Sequence, residues 1–186
     1  MEEEIIKSLE VLKSGGTLLY PTDTIWGIGC DATNAEAVDK IYHIKKRMGS
    51  KSLIILLDDS EKILDYVEDV PDIAWDLMES PGPLTIVYPN AKNLPDNVIA
   101  SDNSIAIRIV RNEFCKRLIT RFGKPIVSSS ANRSGDAAPV VYKNIRPEII
   151  QSVDYAVNYQ RDTISQMKAS RIIRLFESGE FQLIRD

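Results

Sequence analysis

Three short segments of this chain gather the residue types that handle anions. The first is Tyr20-Pro21-Thr22-Asp23-Thr24-Ile25-Trp26-Gly27-Ile28-Gly29. It offers hydroxyls that can bond polar ligand groups, and glycines that let a backbone approach a ligand closely. A turn whose Asp and Thr cap local amides would account for the same residues. The second is Lys45-Lys46-Arg47-Met48-Gly49-Ser50-Lys51, with four cations in seven residues. Cations at a helix end are favourable with its dipole, and a knot of positive charge also suits a polyphosphate. The third is Ser128-Ser129-Ser130-Ala131-Asn132-Arg133-Ser134-Gly135, placed where an apolar strand ends. Ligands collect at the carboxyl ends of strands in open sheets, and exposed turn amides bind phosphate, although polar loops of this composition are common.

The elements that must position these segments are legible in the spacing of apolar residues. Ile5, Leu9 and Leu12 mark a helix over 3–14, stopped by Gly15 and Gly16, and 17–20 is a short strand. Thr33 or Asn34 caps a helix over about 35–47, with Val38, Ile41 and Lys45 on one stripe, so that the Lys45 stem points toward the sheet. The same periodicity puts His43 on the polar side with Lys40 and Arg47. Residues 53–57 form a continuous apolar run fit for a sheet interior, 58–60 begin another helix, and 71–78 continue as a second short one. Strands follow at 84–88 and 105–109, then a helix from Asn112 to Phe122 ended by Gly123. A strand over 124–128 feeds a polar turn at 129–135, a helix lies near 146–152, and 171–175 pairs with 181–185 as a hairpin. Strands and helices alternate, with two neighbouring pairs reading as antiparallel. The expected fold is therefore α/β (α+β), a twisted mixed sheet flanked by helices around a cationic, hydroxyl-rich cleft. In it, the positive end of the second helix faces the Ser130–Asn132 turn across a gap of triphosphate size.

Composition removes several classes of function. The 186 residues are 44% hydrophobic and 27% charged, which reads as one domain over 1–186. With 23 Lys and Arg against 27 Asp and Glu, the net charge is −4, unlike a basic nucleic-acid binder. No apolar run reaches membrane-spanning length, and the acidic start Met1-Glu2-Glu3-Glu4 does not read as a secretory signal. Cys30 and Cys115 are too few and too far apart for a zinc site and read as buried thiols in a reducing cytoplasm. His43 is the one histidine, so no multi-histidine metal site exists and no metal-ligating residues are assigned. The phosphate loop G-x-x-x-x-G-K-[ST], the dinucleotide motif G-x-G-x-x-G and the elbow G-x-S-x-G are all absent.

Taken in this order, the three segments resemble the YrdC-like family. The resemblance covers about residues 5–185 and rests on Tyr20-Pro21-Thr22-Asp23-Thr24, the Lys-x-Arg pair Lys45 and Arg47, and Ser130 and Asn132 within Ser-Ala-Asn-x-Ser-Gly. Pro81-Gly82-Pro83-Leu84-Thr85, Ile107-Arg108-Ile109 and Leu183-Ile184-Arg185 add to it. It implies the single-domain form of a YrdC-like fold and an L-threonylcarbamoyladenylate synthase, a nucleotidyltransferase. Such an enzyme makes threonylcarbamoyl-AMP and pyrophosphate from L-threonine, bicarbonate or CO2, and ATP with Mg2+, for the t6A37 modification of tRNA.

By the same resemblance, Lys45 and Arg47 are catalytic, and Lys45, Arg47, Ser130, Asn132 and Arg185 bind ATP. Thr22, Arg108 and Ser170 hold threonine. The implied setting is the cytoplasm, with a separate downstream threonylcarbamoyl transferase, a contact with tRNA or double-stranded RNA, and no membrane. Met48 and Ser52 stand where the family usually has proline. Two other readings stay open at this point: an RNA-binding module without synthase activity, and a nucleotide- or carbamoyl-handling paralogue with another acceptor.

Overall fold

The computed structural model describes residues 1–46, 53–163 and 169–186. Arg47, Met48 and Ser52 lie outside them. Five helices appear among the described residues: α1 (Glu2–Lys13), α2 (Ala35–Lys45), α3 (Ile73–Met78), α4 (Glu113–Phe122) and α5 (Pro147–Ser152). Nine strands form one mixed sheet: β1 (Leu18–Tyr20), β2 (Gly27–Gly29), β3 (Ile54–Leu57), β4 (Leu84–Tyr88), β5 (Ile105–Ile109), β6 (Ile126–Ser130), β7 (Tyr155–Ala156), β8 (Arg171–Leu175) and β9 (Phe181–Arg185). Their order across the sheet is β7-β1-β2-β6-β3-β5-β4-β8-β9. The pairs β1/β7, β3/β5 and β4/β8 are parallel and the other five antiparallel.

Caps set two of the helices. The Asn34 side chain accepts from the Ala37 amide at the start of α2, and Asn112 does the same for Cys115 at the start of α4. Each cap is worth about 1 kcal/mol. At the other ends, Lys46 and Gly123 adopt left-handed conformations with φ of 48° and 74°. That conformation releases the chain from the helix.

Strand alternation divides the core into two layers. Leu19, Ile55, Leu57, Ile107 and Val127 face one side, where Val38 and Ile41 of α2, Ala74 of α3 and Ile149 of α5 pack on them. Leu18, Tyr20, Leu56 and Ile126 face the other, against Ile5 and Leu12 of α1 and Phe114, Leu118 and Ile119 of α4. Fully burying side chains of this size is worth roughly 1.5–3 kcal/mol apiece.

Four local expectations change. The strand β2 falls inside the first chemistry-bearing segment, where two glycines depress strand propensity and hide it. Its Gly29 serves the sheet: a Cβ there would stand 1.8 Å from the Val127 carbonyl oxygen, so β2 and β6 can pair only through a glycine. The helix expected from 58–60 is a single 3-10 turn, Glu61–Asp65. The strand expected to stop at 128 runs on to Ser130, which brings two of the three serines into the sheet. The two-residue strand β7 was not anticipated at all.

Candidate active site

The site grows from one face of the sheet. Helices α1 and α4 cover that face over β1 and the first residues of β6, and the rest, from Ser128–Ser130 of β6 and Ile54 of β3 across β5, β4, β8 and β9, opens into a cavity of about 750 Å³. A volume of this size suits a small-molecule substrate. The strand registers place two rows of side chains on this face; Arg108, Ile172 and Arg185 of the first and every member of the second line the cavity. One row runs Leu56, Arg108, Thr85, Ile172, Arg185, with Thr85 one residue beyond the Ile86–Ile107 pair. The second runs Ser128, Ile54, Ala106, Val87, Arg174. The pattern Ile105-Ala106-Ile107-Arg108-Ile109 follows from this placement: isoleucines face the helix-covered core, while alanine and arginine face the cavity.

Arg108 is 4% exposed, an unusual depth for a guanidinium. One terminal nitrogen donates to Thr24 Oγ1 at 3.2 Å, and the other lies 3.3 Å from Asp23 Oδ1. The Asp23 contact is an ion pair in distance but not a well-aligned hydrogen bond, because both Asp23 oxygens and Arg108 Nε are buried without a hydrogen-bond partner among the described residues. A buried arginine with donors to spare is suited to a planar, bidentate anion such as a carboxylate. The turn that carries Asp23 and Thr24 is rigid. Thr22 Oγ1 lies 3.0 Å from Thr24 Oγ1 and donates to the Ile25 carbonyl at 2.7 Å, and the Cys115 thiol of α4 reaches the Pro21 carbonyl. Burial pushes that thiol well above its ordinary pKa, so it stays neutral.

Across the cavity, Arg185 donates to the Ser170 carbonyl from two nitrogens at 2.7 and 3.1 Å. Partial burial, and then the charge of Arg108, lower the Arg185 pKa. Two guanidiniums that disfavour each other's charge in one hollow are relieved by an anion between them. Arg174, also on the cavity wall, is paired with Asp102 at 2.7 Å.

Of the residues singled out in the sequence, Thr22, Arg108, Ser130, Ser170 and Arg185 line this one cavity. Lys45 and Asn132 are not among its lining residues, and Arg47 lies outside the described residues. Lys45 does meet the Ser130–Asn132 turn. Its ammonium donates to the Ser130 carbonyl at 2.6 Å and the Asn132 carbonyl at 2.8 Å. The triphosphate-sized gap expected between helix and turn is therefore closed at this point. The open volume lies on the other side of β6, along its serines. Asp102 was missed as a site group, and Asp23 and Thr24, though inside the first segment, were given no role, since each gains its meaning from a partner far along the chain. The one available signal was that a strand arginine at a core-like position needs a counter-charge.

A model of the Sua5/YciO/YrdC family, described as "Telomere recombination", matches residues 10–186. The chain belongs to this family. Among family relatives, a protein named Threonylcarbamoyl-AMP synthase from Pseudoalteromonas translucida (strain TAC 125) is 33% identical over 183 residues, spanning 93% of this chain and 98% of its own. The crystal structure of P. abyssi Sua5 complexed with L-threonine matches with a TM-score of 0.87 at 25% identity, over 100% of this chain and 54% of that one. This chain thus spans about half the length of that Sua5. E. coli YciO shares the fold, with a TM-score of 0.87 at 21% identity over 100% of this chain and 90% of its own.

Proposed function

We propose that this chain is a threonylcarbamoyl-AMP synthase, a nucleotidyltransferase that joins L-threonine, bicarbonate or CO2, and ATP and releases pyrophosphate. The observation that carries the reading is Arg108: a buried guanidinium with unused donors, in a cavity whose far wall holds Arg185. The naming of the relative at 33% identity and the threonine complex of the P. abyssi protein support it.

Arg108 holds the threonine carboxylate, with Thr22 and Ser170 on either side of the amino acid. The threonine amine, once deprotonated, adds to CO2 through a new N–C bond and becomes a carbamate. A carbamate oxygen then attacks the α-phosphorus of ATP, and the bond to the bridging oxygen breaks to expel pyrophosphate. No covalent intermediate with the protein is needed. The obstacle is electrostatic: two unit anions 4 Å apart repel by about 4 kcal/mol at an effective dielectric of 20. Arg185 and Arg47 offset that repulsion, as does the charge of Lys45 from behind the Ser130–Asn132 turn. Ser130, on the cavity wall, fixes the phosphates, while Asn132 shapes the turn that carries it. Lys45 has a double role, since its ammonium also pins the turn that carries Ser130 and Asn132.

Among the described residues no three His, Cys, Asp or Glu side chains stand together as metal donors. Mg2+, where it takes part, would be carried chiefly by the ATP phosphates. Among the described residues no helix is long and apolar enough to cross a membrane. The product fits a cytoplasmic route to t6A37 in tRNA, completed by a separate transferase, with tRNA contact as an additional property.

Pyrophosphate exchange into ATP tests the assignment. With bicarbonate present, exchange should require threonine and fall at least tenfold with serine. Exchange without any amino acid would point to a different acceptor.

A further inference from the structure

The Pro81-Gly82-Pro83-Leu84-Thr85 segment contains a residue that the chemistry above leaves unused. Thr85 is completely buried on β4, beside Arg108 in one register and opposite Ile172 in the other. Its Oγ1 lies 2.8 Å from Ser170 Oγ, and it has no second side-chain partner among the described residues. Ser170 is 2% exposed and lines the cavity. Its hydroxyl oxygen is 3.4 Å from the Arg185 nitrogen that also grips its carbonyl.

Counting protons sets the direction of this chain of bonds. A hydroxyl has one proton to give and two lone pairs to offer, whereas a guanidinium only donates. If Ser170 donated to Thr85, the Thr85 proton would be buried with no acceptor among the described residues, at the full desolvation penalty of an unmade bond. With Thr85 as donor, both lone pairs of Ser170 are engaged, one by Thr85 and one by Arg185. The Ser170 proton is then the group left to point into the cavity.

We infer that Thr85 is a positioning residue that turns Ser170 into a dedicated hydrogen-bond donor toward substrate. The inference rests on the reading of this cavity as the threonine site. A donor there donates to a carboxylate, carbamate or hydroxyl oxygen and disfavours an ammonium, so it orients the amino acid with its oxygen side toward Ser170 and its amine away.

Thr85→Val removes the hydroxyl and keeps the shape. It should raise the KM for threonine about tenfold, the equivalent of 1.4 kcal/mol or one hydrogen bond, with kcat and the KM for ATP within about twofold. Thr85→Ser should restore the wild-type KM within about twofold. Ser170→Ala should weaken threonine to a similar degree, and adding Thr85→Val to it should cost nothing more, since both remove the same bond. Additive losses, an unchanged KM in Thr85→Val, or an equal loss toward ATP would overturn the inference. If Thr85→Val fails to fold, Thr85→Ala carries the same comparison. Threonine binding measured by calorimetry separates the two claims. A wild-type chain that binds threonine but makes no adenylate sinks the synthase reading and leaves the Thr85 comparison intact, while one that binds no threonine overturns both.

Discussion

Replacing Arg108 by methionine tests whether the buried pair with Asp23 both stabilises the fold and serves the site. At the observed 3.3 Å separation, the Coulomb attraction is about 5 kcal/mol for an effective dielectric of 20. Removing one partner leaves the Asp23 carboxylate buried and uncompensated, which destabilises by roughly 3–5 kcal/mol. With a urea m-value near 2 kcal/mol/M, the unfolding midpoint should drop by about 2 M. Asp23→Asn combined with Arg108→Met leaves neither charge, so most of that stability should return, to within about 1–2 kcal/mol of the wild type. Threonine binding should be lost in both variants, because the carboxylate has no bidentate partner in either. Urea unfolding followed by circular dichroism, together with calorimetric titration of threonine, reads the two effects apart. A single variant as stable as the wild type, or a double variant that regains threonine affinity, would refute the reasoning.

Lys45→Ala should lower kcat/KM by about 10²-fold or more, as losing one charged stabiliser does, and steady-state kinetics will read it. His43 is exposed, with Nδ1 2.7 Å from the Asp39 carbonyl, so His43→Ala should keep activity within about twofold in the same assay, as expected of a surface change. Asp102 is held down to a pKa of about 2 by its bond from Ser104 and then by Arg174. Because that value is below the unfolded carboxylate's roughly 3.9, its contribution is complete above pH 4 and vanishes as the pH falls toward 2. The pair is well exposed, so Asp102→Asn should cost under about 1 kcal/mol at pH 7 while flattening the acid-unfolding curve between pH 4 and 2.

The elements most legible in the sequence were those with a local cause. Asn34 and Asn112 announced their helices because a cap acts within three residues. The run at 53–57 declared itself through apolar pattern alone, and the hairpin at 171–185 through its strands and the Glu177-Ser178-Gly179-Glu180 turn between them. β2 did not, because Gly29 is there to let β6 approach, a requirement set about a hundred residues later in the chain. The same division holds in the site. Lys45 could be placed against the sheet from the Val38 and Ile41 stripe and opposite the Ser130–Asn132 turn, but the gap expected between them is bridged by its ammonium. The position of the open volume was not, since it depends on which half of a sheet face α1 and α4 leave uncovered. Asp23 and Thr85 were likewise beyond local reading, because their roles come from Arg108 and Ser170.

The most direct test of the central claim is a rapidly quenched reaction of the wild-type chain with ATP, Mg2+, threonine and 13C-labelled bicarbonate, analysed by mass spectrometry. The account predicts an adenylate carrying threonine and one labelled carbon, together with equimolar pyrophosphate. An adenylate without the label, or AMP formed regardless of threonine, would contradict it.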